Sequence, residues 1–149
     1  MLLNSPVHIG IICADMDESI KKFQTRYGIG PFEDFGELHE NAIRFGKEHI
    51  LNYKAAMAPF GNINLELIQP TGGDSVFEDA LKTQGECIHH TCIAVDDVLK
   101  AKAQAIEEGY EILDEVPMYE MQPGFSLGFF FMKSKDSPIV FEVVEERHY

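Results

Sequence analysis

The sequence predicts an α+β fold made of two tandem β-α-β-β-β modules within one domain of 149 residues. Three observations lead there. Two short apolar runs each begin with a histidine and end at an aspartate: His8-Ile9-Gly10-Ile11-Ile12-Cys13-Ala14-Asp15 and His90-Thr91-Cys92-Ile93-Ala94-Val95-Asp96-Asp97. Each run is followed by a helical pattern that stops at a glycine, 20 residues after the His in one half and 19 in the other. Each half then closes on a strand that carries a single acid inside an apolar run. Module one takes about residues 5–70, a linker helix about 74–84, and module two about 86–146.

The His-led runs are rich in β-branched residues and short, which predicts buried strands. After the first, Asp15 or Asp17 can cap a helix that carries Ile20, Phe23 and Tyr27 and ends before Gly28. After the second, Asp96 or Asp97 caps a helix carrying Val98, Ala101, Ala105 and Ile106, which stops at Gly109. Three strands follow each helix. They are expected near Phe32–Gly36, His49–Ala58 and Asn62–Gln69 in the first half, and near Tyr110–Val116, Ser126–Met132 and Ile139–Glu145 in the second. Between the halves, Pro70-Thr71-Gly72-Gly73 is a turn-rich break. A connecting helix over Asp74–Thr83 follows, with Val76, Phe77, Ala80 and Leu81 on one face.

Strand residues alternate between faces, so the polar positions can be assigned to a side. Ile9, Ile11 and Cys13 oppose His8, and Thr91, Ile93 and Val95 oppose His90. Ile63, Leu65 and Leu67 oppose Glu66, as Ile139, Phe141 and Val143 oppose Glu142. The bulky face suits a helix-covered core, and the polar face can line a cleft. A carboxylate among buried apolar residues is costly to ionise without a partner. Two carboxylates and two imidazoles converging on a cation satisfy one another. His8, Glu66, His90 and Glu142 are therefore the candidate metal ligands, two nitrogens and two oxygens for one divalent ion such as Zn, Ni, Co, Mn or Fe. Four protein ligands leave positions open on a six-coordinate ion, the condition for Lewis-acid catalysis. A lone strand histidine or glutamate is usually structural or exposed. Recurrence of the pair at matching positions is what singles these four out.

Other candidates are weaker. His89 points away from His90 and reads as a strand-edge residue; His39 and His49 lie in or near a polar stretch with no matching partner, and His148 is in the tail. Cys92 shares the face of His90 but reads as a small buried hydrophobe. Phe125, Phe129, Phe131, Met118 and Met121, around the turn Glu120–Gly124, are candidates for cleft selectivity, with plain core packing the better reading of Phe129 and Phe131.

The bulk numbers narrow the function classes. The formal net charge of −13 argues against nucleic acid and against an anionic membrane surface. No apolar run reaches the roughly 20 residues of a membrane span. Three cysteines without a C-x-x-C pair suit free thiols in a reducing compartment, and no signal-peptide pattern opens the chain. A cytoplasmic location is expected.

The paired pattern resembles the vicinal oxygen chelate superfamily, which includes glyoxalase I, methylmalonyl-CoA epimerase, extradiol dioxygenases and bleomycin-resistance proteins. It rests on His8-Ile9-Gly10-Ile11, Leu65-Glu66-Leu67-Ile68-Gln69-Pro70, His89-His90 with Ala94-Val95-Asp96-Asp97, and Phe141-Glu142-Val143, and it covers nearly the whole chain. The resemblance implies that the modules form a curved mixed sheet around a metal-lined cleft. Gly28-Ile29-Gly30-Pro31-Phe32 and Gly85-x-x-Ile88-His89-His90 look most like the epimerase branch. By that likeness His8, His90 and Glu142 are family metal positions, and Glu66 fills a fourth at which relatives carry Glu or Gln.

The implied reaction is that of a metal-dependent isomerase or lyase. It moves a proton next to the carbonyl of a small carbonyl compound or thioester, through a metal-stabilised enolate. Some epimerases add a catalytic Glu on the third strand of module one. Here Ile50–Met57 offers no acid, and Glu48 lies just before it. Proton transfer then falls to Glu142 or Glu66 as catalytic residues, more in the manner of glyoxalase I. Lys21, Lys22 and Lys54 are the local cations that could meet a CoA phosphate. The enzyme alternative is a glyoxalase I-like lactoylglutathione lyase. The alternative from another class is a non-catalytic binding protein of the bleomycin-resistance type, whose members typically lack these ligands. A homodimer is expected from the likeness.

Overall fold

β-Strand and helical periodicities alternate along the chain as the repeat requires, and the computed structural model, which describes residues 1–149, has a mixed α+β fold. It has eight strands and three helices. The elements run β1 (Pro6–Ile12), α1 (Met16–Arg26), β2 (Glu33–Arg44), β3 (Lys47–Phe60), β4 (Ile63–Pro70), α2 (Val76–Gln84), β5 (Cys87–Ala94), α3 (Val98–Glu107), β6 (Glu111–Gln122), β7 (Phe125–Lys133) and β8 (Val140–His148). Two compact units divide the chain. One comprises His8–Glu40 and Ile50–His89, and the other Met1–Val7, Asn41–His49 and His90–Tyr149. The division departs from the module boundaries: Ser5–Val7 and Asn41–His49 group with the later residues, and Glu86–His89 group with the earlier ones.

In the unit that begins at His8, β1 runs parallel to β4, and β3 pairs antiparallel with β4. Asp15 caps α1 by accepting from the Glu18 backbone N–H, at 3.0 Å. The apolar stripe of α1 then packs Met16, Ile20 and Phe23 against Ile11, Leu65 and Leu67. The residues facing the helix are therefore the ones alternation assigns there, and His8 and Glu66 take the other side. Helix α2 starts at Val76, two residues later than the expected Asp74, because the Ser75 hydroxyl caps it by accepting from the Glu78 N–H. It buries Val76, Phe77 and Ala80. His89, read from sequence as a strand-edge residue, is buried instead and meets the Phe77 ring edge-on at 5.7 Å.

In the unit that contains His90, β5 runs parallel to β8, and β6, β7 and β8 form an antiparallel run. Asp97 caps α3, accepting from the Lys100 N–H at 2.9 Å. Val98, Ala101 and Ala105 of α3 pack on Phe130, Met132 and Val143. Strand β6 shifts register around Pro117, which has no N–H to give the ladder. Gly128 lies beneath that irregularity, where an added Cβ would sit 2.9 Å from the Met118 backbone nitrogen. No helix is long and apolar enough to cross a membrane.

Candidate metal centre

Each unit brings one histidine and one glutamate together. On β1 and β4 the parallel register sets Gly10 opposite Glu66, two residues beyond His8. Residues i and i+2 of a strand share a face, so the His8 ring reaches the Glu66 carboxylate. Nε2 of His8 stands 3.5 Å from Oε1 of Glu66, with the side chains 11% and 15% exposed. On β5 and β8 the same offset recurs: Cys92 pairs with Glu142, two residues beyond His90. Nε2 of His90 stands 3.1 Å from Oε1 of Glu142, and these side chains are 0% and 9% exposed. All four residues singled out by the repeat are thus paired as the sequence pairs them.

The spacings bear on metal fit. Donors about 2.1 Å from one ion lie about 3.0 Å apart at octahedral angles and about 3.4 Å apart at tetrahedral ones. Both His–Glu separations fall near that range. Each unit thus offers one imidazole and one carboxylate, donor types that suit a divalent ion.

The neighbours of the two pairs differ. Beside Glu66, β3 places Met57 in register. Beside Glu142, β7 places Phe131, whose ring meets the His90 ring edge-on with centroids 5.1 Å apart. Phe131, read from sequence as core packing, is buried and also braces a candidate ligand. Phe129 packs edge-on against it at 5.8 Å. Cys92, at 0% exposure, is the small buried residue expected.

Two further polar pairs escaped sequence reading. Tyr53 on β3 donates to Oε1 of Glu40 on β2 at 2.5 Å, and both are buried. His49, which has no counterpart in the repeat, places Nε2 2.9 Å from Oδ1 of Asp114, a residue only 1% exposed. Glu48, the acid nearest the third strand of module one, is exposed on β3. Alternation of Glu40, Ala42 and Arg44 as buried residues was the available signal, but it reads as loop when the buried side is polar. Of the cations suggested for a phosphate, Lys21 and Lys22 line a cleft of about 420 Å³ with Arg26 and Glu86, and Lys22 lies 3.7 Å from Glu86.

Over residues 7–129 the chain matches the family model of the Glyoxalase/Bleomycin resistance protein/Dioxygenase superfamily, and it belongs to that superfamily. Among its relatives is the mitochondrial methylmalonyl-CoA epimerase of Dictyostelium discoideum, 26% identical over 111 residues. That match takes in 74% of this chain and 60% of the relative, so the chain spans less than two thirds of that protein's length. A methylmalonyl-CoA epimerase solved with methylmalonyl-CoA and ammonium has a TM-score of 0.67 at 25% identity, covering 97% of this chain and 95% of that one. A variant of the Streptomyces coelicolor methylmalonyl-CoA epimerase, solved with 2-nitronate-propionyl-CoA, gives 0.65 at 25% identity, covering 97% and 98%. The mixed α+β fold is the vicinal oxygen chelate fold of these neighbours.

Proposed function

We propose that this chain is a metal-dependent, epimerase-like enzyme that moves a proton on the carbon next to a thioester carbonyl, with a methylmalonyl-CoA-type thioester as substrate. The observation that carries this reading is the duplicated His/Glu pair, set at the same strand offset in both units. Further support comes from the solved epimerases of the same fold, which carry CoA thioesters.

His8, Glu66, His90 and Glu142 would hold the ion. Bound there, a divalent metal supplies a Lewis acid that makes the proton beside a carbonyl more acidic. The chain does the rest. His90 is held at fixed orientation by the Phe131 ring and the Glu142 carboxylate, which limits the loss of order on binding. The carboxylate of Glu142 or Glu66 takes up the proton from carbon. Burial of His90 and Glu142 keeps water from competing for it.

The test joins elemental analysis of the purified protein to deuterium uptake by methylmalonyl-CoA in heavy water, for the native chain and a His90→Ala variant. Expected are about one transition-metal ion per chain, deuterium at the carbon beside the carbonyl, and loss of both in the variant. A protein that cannot be loaded with Zn, Ni, Co, Mn or Fe would overturn the reading.

A further inference from the structure

The repeat breaks at one place beside a candidate ligand. Within the unit that begins at His8, parallel pairing sets His8 on β1 opposite Asn64 on β4. Antiparallel pairing sets Asn64 opposite Pro59 on β3, and Glu66 opposite Met57. Register partners share a face, so the Cα of Asn64 lies about 5 Å from that of His8 across the strands. Along its own strand, Asn64 precedes Glu66 by two residues and points to the same side. Its counterpart in the other unit, two residues before Glu142, is Val140, whose side chain donates nothing.

Exposure along this face runs one way. Beyond Glu66, Ile12, Ala55 and Ile68 are all exposed by 2% or less. On the near side, Asn64 and Pro59 are exposed. A small molecule that reaches the His8–Glu66 pair from this side comes past Asn64. Donors are scarce there. Over the paired stretch of β1, β3 and β4 the face carries no Lys or Arg. The Tyr53 hydroxyl donates to Glu40. Lys54, suggested from sequence for a phosphate, stands opposite Gln69 on the α1 side, where the Gln69 side chain accepts from the Met16 N–H at 2.8 Å. Besides His8 itself, the Asn64 carboxamide is the side-chain donor left on this face.

We propose that Asn64 determines specificity in the proposed reaction, its carboxamide N–H donating to the free carboxylate of a methylmalonyl-type thioester. The role rests on the epimerase-like reading. That substrate differs from a plain acyl thioester by one carboxylate, which has to settle beside the Glu66 carboxylate. A neutral amide stabilises the anion there through a charge-assisted hydrogen bond, without adding a group that titrates. A thioester lacking the carboxylate gains nothing from it, so the discrimination lies in this one contact.

The experiment compares the native protein with Asn64→Ala and Asn64→Asp, each loaded with metal and checked for metal content and melting temperature. Deuterium uptake gives KM and kcat for methylmalonyl-CoA, and propionyl-CoA, which lacks the carboxylate, serves as competitor. For Asn64→Ala we expect native metal content, a KM raised by about 10-fold or more, and an unchanged inhibition constant for propionyl-CoA. Asn64→Asp, of nearly the same shape, sets one carboxylate against another and should raise KM further. A native KM in both variants overturns the role of Asn64 and leaves the proposed function standing. Equal weakening of methylmalonyl-CoA and propionyl-CoA also overturns it, because the carboxylate would then not be what Asn64 reads. No uptake by the metal-loaded native protein overturns the proposed function, and the role of Asn64 falls with it.

Discussion

The two His/Glu pairs share one strand offset but not one environment. Gly10 and Cys92 occupy the same place, two residues after the histidine and opposite the glutamate. Around that shared frame, the His8 pair is wider, at 3.5 Å, and more open, with a methionine beside it. The His90 pair is closer, at 3.1 Å, and its ring is buried beneath Phe131. Duplication thus repeats the backbone relation that brings a donor pair together, while the neighbouring strand decides how tightly the pair is held. The tight pair is built to fix geometry, and the looser one to accept adjustment.

The sharpest way to break that difference is to remove each histidine in turn. His90→Ala leaves the Glu142 carboxylate buried without its imidazole and opens a space beneath Phe131. We expect a loss of about 3 kcal/mol in the metal-free protein, on the scale of a broken buried pair. His8→Ala should cost less than half of that, because water can reach Glu66. Both should lose metal. Urea unfolding of the two apo variants measures the contrast, and equal losses would mean that the two pairs are held alike.

A second contrast lies in the carboxylates. Glu142→Gln and Glu66→Gln both keep an oxygen donor and remove a negative charge. Deuterium uptake by methylmalonyl-CoA should fall by about 100-fold for Glu142→Gln and distinctly less for Glu66→Gln, since the looser pair can readjust around an amide. Larger impairment from Glu66→Gln would transfer the proton-handling role to the first module.

How far these differences could be read from sequence depends on which residues face inward. Where a strand puts apolar residues toward a helix, alternation reports the face directly. β1, β4, β5 and β8 were therefore legible, and the His/Glu repeat followed from them; the caps were legible to within two residues, with Asp15 rather than Asp17 and Asp97 rather than Asp96 taking the role. β2 was not. It runs to Arg44 rather than stopping near Gly36, because Glu40 and Arg44 occupy its buried side and mimic a loop. The His49–Asp114 pair was hidden for a different reason: its members are 65 residues apart and their strands meet only through the fold. Phe131 was legible as buried but not as a brace for His90, since that contact depends on how β7 pairs with β8 and β8 with β5, which residue alternation does not report.

The brace itself gives a smaller effect. Phe131→Leu should cost about 1–3 kcal/mol through lost packing and weaken metal retention by loosening His90. Met57→Leu, the corresponding change beside Glu66, conserves volume and should cost under about 1.5 kcal/mol. Thermal melts with and without metal separate packing from retention, because only the Phe131 variant should show a reduced metal-induced stabilisation.

The smallest effect contrasts the cysteines that flank the two histidine strands. Cys13 follows β1 and is buried; burial raises its thiol to about 11, with the nearby Ser19 hydrogen bond opposing the rise. Cys87 opens β5, is partly exposed, and is raised by burial as well. Thiolate is the reactive form, so at pH 8 Cys13 should be alkylated far more slowly than Cys87 in the native protein. The linkage sign follows from the raised value. The folded state holds the Cys13 proton more tightly than the unfolded state, whose thiol sits near 9. The stabilisation is present in full below pH 9 and disappears as pH rises through about 11. Unfolding curves of the native chain and Cys13→Ser should therefore lose stability differently between those two pH values, with the native chain falling more steeply. Parallel curves would mean that the thiol of Cys13 is as free to ionise in the fold as in the unfolded chain.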